Sequence, residues 1–257
     1  MKTFFAAALA SAATAFTAET LEFVNYVATY NKTYGSVEDF EFRQEQWLKT
    51  HAFIQENNSS DATHVAGHNK FSDWTEEEFK AIQGLRPHHM AGLNLEVKTP
   101  ELKDTPAEVD WRTSNNVSDV KDQGSCGSCW AFSSTGAVEA AYSIKWSTNA
   151  NDNLFSEQQL VDCAGGDFLN GGCNGGWYYW AYQYARDYGF EHEADYPYTA
   201  KDGTCAYDAS KGVTNVSSYK QTKGRAANLD AIYNQGPINV AVAAGNDVFR
   251  NYVSGVI

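Results

Sequence analysis

The chain has 257 residues, 43% of them hydrophobic, which suffices for one or two domains with a buried core. Acidic residues outnumber basic ones by 32 to 19, and the excess is spread over both halves, which argues against nucleic acid or an anionic membrane as a partner. All five cysteines fall between Cys126 and Cys205; in an oxidising compartment that odd number reads as two disulfides plus one remaining thiol.

Residues 1–18 read as a secretory signal peptide. Lys2 precedes an apolar stretch from Phe4 to Ala13 and a small-residue exit, with cleavage after Ala15 or Ala18. The apolar part is far short of the roughly 20 residues that span a bilayer, and no later stretch is long and apolar enough. Residues 19–104 read as a separate small domain. Leu21, Val24, Val27 and Ala28 recur at helical spacing, and Phe23, Tyr26 and Tyr30 widen the apolar face. A longer periodic run spans Val37 to Asn58, with Trp47, Leu48, Phe53 and Ile54 among its apolar residues. After Gly67-His68-Asn69-Lys70-Phe71-Ser72-Asp73, Thr75 and Glu78 form a capping box that predicts a helix start. Residues 84–105 have no sustained period and read as an extended, cleavable linker, in which His88-His89 is solvated rather than an acid sensor or metal pair. Glycosylation sequons occur at Asn31, Asn57, Asn58, Asn116 and Asn215.

The most informative stretch is Gln123-Gly124-Ser125-Cys126-Gly127-Ser128-Cys129-Trp130-Ala131-Phe132-Ser133, a polar, glycine-rich run that enters a helix-forming sequence. Cys129 falls on the first helical turn, where Ser128 can cap and where unpaired N–H groups and the helix dipole favour a thiolate. Gln123 offers a side-chain amide able to donate to a developing oxyanion. A general base is still required for nucleophilic acyl transfer. The competing reading is a structural CxxC, either redox-active or half of a metal knuckle.

Phe155 to Cys163 predicts a short helix, for which Ser156 and Gln159 supply a capping signal. Gly171-Gly172-Cys173-Asn174-Gly175-Gly176 follows, then an aromatic-rich helix from Trp177, and the turn Tyr196-Pro197-Tyr198. His192 lies on a helix-to-loop exit and reads as a surface residue. Val213-Thr214-Asn215-Val216 with Tyr219, and Pro237 to Ala243, read as strands separated by a helix from Leu229 to Asn234.

Cys126-Gly127-Ser128-Cys129-Trp130 resembles the signature around the papain and cathepsin nucleophile. Asp39, Arg43, Trp47, Thr50, Ile54 and Asn58 have the spacing of the helical motif of cathepsin L-like propeptides, with Asp39 and Thr50 as departures, and Gly67-x-Asn69-x-Phe71-x-Asp73 matches the second propeptide motif at all four positions. The chain therefore resembles a papain-family cysteine protease precursor, nearer to cathepsin L than to cathepsin B.

The resemblance implies an α+β, papain-like two-domain fold, with a complete helical left domain and a truncated β-rich right domain, preceded by a helical inhibitory propeptide. It divides the chain into a signal peptide (1–18), an inhibitor-type propeptide (19–104) and an incomplete peptidase domain (105–257). It makes Cys129 the nucleophile and Gln123 its oxyanion donor, and it implies disulfides Cys126–Cys173 and Cys163–Cys205. Gly175 and Gly176 would pair with the backbone of an extended substrate. Trp177, Tyr178 and Ala241 would line an uncharged main pocket that prefers apolar or aromatic residues.

The implied partners are peptide or protein substrates and the chain's own propeptide as an intramolecular inhibitor, without nucleic acid, membrane, cofactor or metal. The implied location is the secretory pathway, ending in a lysosome-like acidic vesicle or outside the cell. The family's histidine is expected about ten residues past Ile257, with the asparagine beyond it, so the supplied chain is expected to be inactive. Two rivals remain: a non-catalytic propeptide-type inhibitor of related proteases, and a thiol redox protein using Cys126 and Cys129.

Overall fold

The computed structural model describes residues 17–85, 96–97 and 106–257. Most of the expected signal peptide and linker, with His88-His89, lies outside those residues. The described chain forms two compact units, one of residues up to Glu76 together with Gly245–Ile257, the other Glu77–Ala244.

In the first unit, Thr17 caps α1 (Ala18–Thr29) by accepting from the Thr20 N–H, and Ser36 caps α2 (Val37–Ser59) by accepting from the Asp39 N–H. The face that α1 buries is aromatic. Phe23 and Tyr26 are buried and pack on Trp47 of α2, whereas Leu21 and Val24, expected on the inner face, are exposed. The rings at positions 23 and 26 offer more area to Trp47 than the aliphatic residues do, and they set the rotation of the helix.

The second half of the unit is tied together by amides and one carboxylate. Asn58 holds strand β1 (His64–Ala66) through both faces of its amide, donating to the Ala66 carbonyl and accepting from the Ala66 N–H at 2.8 and 2.9 Å. Asp73 is buried and accepts from the Tyr26 hydroxyl, Lys32 Nζ and the Tyr34 hydroxyl at 2.7–2.9 Å, and Arg43 donates to its carbonyl. Burial and this carboxylate push both tyrosine hydroxyls up, so they remain donors.

The chain's last residues close the unit. Asn246 caps α8 (Asp247–Arg250), and β2 (Tyr252–Gly255) pairs antiparallel with β1, with His64 opposite Gly255. Asn69 Nδ2 donates to the Arg250 carbonyl, and a Cβ on Gly67 would stand 2.8 Å from Val253. That close approach is what requires glycine at position 67.

The second unit begins within α3 (Glu76–Ala81) and centres on α4 (Cys129–Trp146), which packs on α5 (Glu157–Cys163) and α6 (Tyr178–Asp187). Its core joins Trp130, Ala131 and Val138 to Leu160, Val161, Ala181, Tyr184 and Ala185, with Phe155 stacked on Phe190. Two disulfides brace it: Cys126–Cys173 ties the start of α4 to the glycine-rich turn, and Cys163–Cys205 ties the end of α5 to a later loop. Their loops span 47 and 42 residues, a length at which each crosslink is worth roughly 3–4 kcal/mol on a chain-entropy account.

The expected capping signal of α5 is half used. Ser156 accepts from the Gln159 N–H, but the Gln159 amide turns inward to Tyr184 and Gly189. The expected strands are not formed. Val213–Val216 contributes one isolated bridge, Phe190 to Thr214, and Pro237–Ala243 carries no assigned strand, with Val240 and Val242 exposed. The apolar pattern is present there, but the ladder partner that would turn it into sheet is not among the described residues. The helix expected at Leu229–Asn234 starts earlier, as α7 (Arg225–Asn234).

The fold is thus α+β, with helices dominant and regular strand pairing limited to β1 and β2 among the described residues. No helix of the described residues is long and apolar enough to cross a membrane.

Asp73→Ala is expected to destabilise the first unit by about 3 kcal/mol, because Tyr26, Tyr34 and Lys32 lose one shared buried acceptor. Urea unfolding followed through that unit checks this; a loss below about 1 kcal/mol would show that the carboxylate is not the tie described.

Candidate active site

Cys129 is the first residue of α4, is half-buried, and lies outside both disulfides. Cys126 is bonded to Cys173, so the Cys126–Cys129 redox pair considered from sequence is not formed. Ser128 occupies the N-cap position without capping. Its hydroxyl instead meets the Tyr198 hydroxyl at 2.6 Å, leaving the first helical N–H groups without that side-chain acceptor. The Tyr198 hydroxyl also donates to the Gln123 carbonyl at 2.8 Å, and its ring sits edge-on to Phe132. One tyrosine therefore joins the residue before Cys129 to the backbone of Gln123. Sequence reasoning places Tyr198 only in a turn, and a Tyr-Pro-Tyr triplet says nothing about where its hydroxyl reaches.

The Gln123 amide nitrogen donates to two carbonyls, those of Cys126 at 2.8 Å and of Ile82 at 3.0 Å. Ile82 is the turn residue that follows α3, and it leads into Gly84 and Leu85 of this same chain. The Gly176 N–H donates to the Gly84 carbonyl at 2.7 Å, and Leu85 forms a parallel bridge with Gly176. Gly84 lies so near Gly127 that a Cβ would fall 1.7 Å from its carbonyl oxygen, which only glycine permits. Gly176 is equally confined: a Cβ would meet Asn170 Oδ1 at 2.4 Å and Trp130 at 2.8 Å. Residues 82–85 thus lie against Gln123, Gly127 and Gly176, and two of their carbonyls are gripped by side-chain and backbone N–H donors. Gly175, with φ 108° and its carbonyl accepting from the Gly171 N–H, shapes the turn that presents Gly176.

Trp177 is buried and stacks on Tyr178, and its backbone N–H donates to Asn170 Oδ1. Both rings line a cavity of about 410 Å³, with Tyr142, Tyr182, Tyr219 and Asn239 also on its walls. Ala241 does not line that cavity and is exposed on the unassigned segment after Asn239. His192 is half-buried rather than on the surface, because its ring stacks on Phe155 at 5.7 Å. Among the described residues, no group of three or more His, Cys, Asp or Glu is placed to hold a metal.

A charged cluster beneath α4 was not foreseen. Lys121 bridges the fully buried Glu139 and Glu157 at 2.6 and 2.7 Å. Glu139 also accepts from Ser118 and from the Phe155 N–H, which joins the cluster to the core. Its one sequence signal is a glutamate inside the small apolar run Gly136-Ala137-Val138-Glu139-Ala140-Ala141. Burial pulls the Lys121 ammonium down, but Glu157 and Glu139 outweigh it and hold it above its usual range. Burial pushes Glu157 up to about 7, against the pull of Lys121, and the nearby Glu193 is raised by burial too.

The chain is similar to known proteins over most of its length. Residues 105–257 match the family model described as papain family cysteine protease, and residues 23–79 match the one described as cathepsin propeptide inhibitor domain. Digestive cysteine proteinase 1 of Homarus americanus is 37% identical over 241 residues, covering 88% of this chain and 71% of that protein. The cathepsin L-like proteinase of Fasciola hepatica is 41% identical over 236 residues, covering 88% of this chain and 70% of that protein. The structure of digestive procathepsin L2 proteinase from Tenebrio molitor larval midgut superposes with a TM-score of 0.84 at 34% identity, covering 93% of this chain and 79% of that one.

Two expectations follow from the geometry. Gly84→Ala should unseat residues 82–85 and raise the rate of Cys129 alkylation by iodoacetamide about tenfold, the factor that about 1.4 kcal/mol of lost docking gives; an unchanged rate would mean that the segment does not shield the thiol. The second concerns pH. Glu157 has a raised folded-state pKa, so its contribution is fully present below about 4.5 and is lost as pH rises through about 7. The urea midpoint of the second unit should fall across that window, and Glu157→Gln should flatten the fall.

Proposed function

Because the chain belongs to the papain family of cysteine proteases, we propose that it is the precursor of a cathepsin L-like cysteine endopeptidase with Cys129 as nucleophile. The Cys129 sulfur attacks the carbonyl carbon of a peptide held in extended form. The oxyanion that develops is held by the Gln123 side-chain N–H and the Cys129 backbone N–H. Collapse of this intermediate breaks the C–N bond, releases the amine with a proton, and leaves a thioester that water hydrolyses. The observation that carries this reading is the grip on residues 82–85, where the Gln123 side chain and the Gly176 N–H already hold two carbonyls of one segment, the first after α3 and the second at the Leu85–Gly176 bridge. A peptide gripped through its main chain leaves selectivity to side-chain pockets. Trp177 and Tyr178 favour an apolar or aromatic occupant, and the 82–85 segment acts as the built-in inhibitor until it is removed.

The domain reading is a signal peptide, an inhibitor-type propeptide and a peptidase domain from about residue 105, in a secretory route that ends in an acidic vesicle or outside the cell. Cleavage after Ala15 rather than Ala18 keeps Thr17, whose cap on α1 is worth about 1 kcal/mol. A polypeptide of these 257 residues is inactive in this reading. The amine can leave only with a proton, and none of the chain's six histidines occupies the sequence position that the family resemblance assigns to that role.

The test uses the 257-residue protein with Gly84→Ala, to expose the thiol. A pyridyl disulfide carrying a peptide with phenylalanine before the reactive position should exchange with Cys129 about tenfold faster than one carrying lysine there. An epoxide thiol inhibitor should label Cys129 only slowly. Equal exchange rates would overturn the pocket preference, and rapid epoxide labelling would show that a base is present after all.

A further inference from the structure

The first unit holds a pair of histidines that the protease reading leaves unused. His51 on α2 and His68, in the loop after β1, lie with their rings nearly coplanar, 11° apart, and His51 Nδ1 stands 3.0 Å from His68 Nε2. Both rings stack on the buried indole of Trp47, with centroids at 4.7 and 4.6 Å, and the Tyr26 ring lies 5.9 Å from His68. His68 Nδ1 and Trp47 Nε1 are buried with no hydrogen-bond partner among the described residues.

A ring-to-ring N···N hydrogen bond needs one donor and one acceptor, so it holds a single proton between the rings. On its outer side, His51 Nε2 lies 2.7 Å from the Gln55 amide and 3.6 Å from the Glu22 carboxylate. With the amide assigned as donor, His51 carries its proton on Nδ1 and gives it to His68 Nε2. A proton added to His68 has only the acceptor nitrogen of that bond, so it costs the bond and sets a cation against the buried indole face.

The other charged and titratable groups around the pair do not relieve this. From α1, Glu19 acts on His51, and the hydroxyl of Tyr30 is spent on the His68 carbonyl. Tyr26 and Lys32 are both spent on Asp73, and His64 Nε2 on β1 is itself buried without a partner. Arg250, from the last segment, donates to the carbonyls of Phe71 and Trp74 and adds positive charge to this loop.

We propose that the His51–His68 pair is an acid-sensitive latch of the first unit, closed while the rings share one proton and opened when His68 is charged. Burial and the charge on His51 pull His68 down to about 4, so acid opens the latch only by breaking the packing that holds it. The unfolded chain takes up a proton that the folded unit refuses, from about pH 6.5 down to about pH 4, and the folded unit is lost in that direction. The latch itself does not depend on the protease reading. Its use, releasing an inhibitory propeptide in an acidic compartment, rests on that reading.

Hydrogen exchange of the full 257-residue protein, corrected for the intrinsic pH dependence of exchange, tests it. Opening of residues 37–74 should rise about tenfold for each pH unit between 6.5 and 4, the slope of one proton, while residues 129–163 keep their protection. His68→Gln, which keeps a polar partner for His51 but cannot charge, should flatten that slope; His68→Phe, which keeps the stack on Trp47, serves if the glutamine variant does not fold. An unchanged slope in the folded variant overturns the latch, as does a slope that survives in it and vanishes in Asp73→Asn. Neither result touches the Cys129 exchange experiment, so the two readings fail separately.

Discussion

The Cys126–Cys173 bond is the constraint on which the candidate site depends. It pins the start of α4 to the glycine-rich turn, and the Gly127 N–H adds a backbone bond to the Cys173 carbonyl at 2.9 Å. Trp130, the second residue of the helix, donates to the Gly172 carbonyl and walls Gly176. With those two pieces fixed, Gln123 and Gly176 both donate to carbonyls of residues 82–84, though they stand 53 residues apart in the chain. The same bond removes Cys126 from competition and leaves Cys129 as the one sulfur of the five that can act as a nucleophile.

What the sequence made legible was local or carried by motif. The α1 and α2 helices, the Ser156 cap and the start of α4 depend on neighbours in the chain, and such patterns are written in spacing. Asp39, Arg43 and Asn58 formed a recognisable series, yet their purpose appears only in three dimensions: Asn58 clasps β1, and Arg43 reaches the carbonyl of Asp73. Where the sequence misled, a long-range partner had won. Ser128 has the right type and position for a cap, but Tyr198, 70 residues away, takes its hydroxyl. The rotation of α1 follows the rings that meet Trp47 rather than the aliphatic period. The run at Pro237–Ala243 has strand composition, but a strand is a pairing and not a property of one segment.

Glu139 and Asp73 show why buried charge escapes pattern reading. Each is an ordinary acidic letter in the sequence, and each becomes the acceptor around which several donors converge. Such hubs do little for net stability compared with an apolar core of equal volume, but removing one member leaves the rest unsatisfied. Asp73 therefore specifies how α1, the Lys32–Tyr34 turn and the 67–74 loop fit together. Glu139 does the same for the loop at Ser118, α4 and the entry to α5.

The two units also answer acid in opposite senses, and the reason is the chemistry of the group each one buries. A carboxyl such as Glu157 is neutral when protonated, so burial raises its pKa and acid relieves the strain of its charge. An imidazole such as His68 is neutral when deprotonated, so the same burial lowers its pKa and acid creates a charge with nowhere to go. Near neutral pH the first unit has its packing intact, while Glu157 of the second is part-way through losing its proton beside Lys121. As protons are added, Glu157 favours its own fold and His68 works against its own. A precursor built this way needs no separate sensor domain: the difference between burying an acid and burying a base is enough to make one unit yield while the other holds.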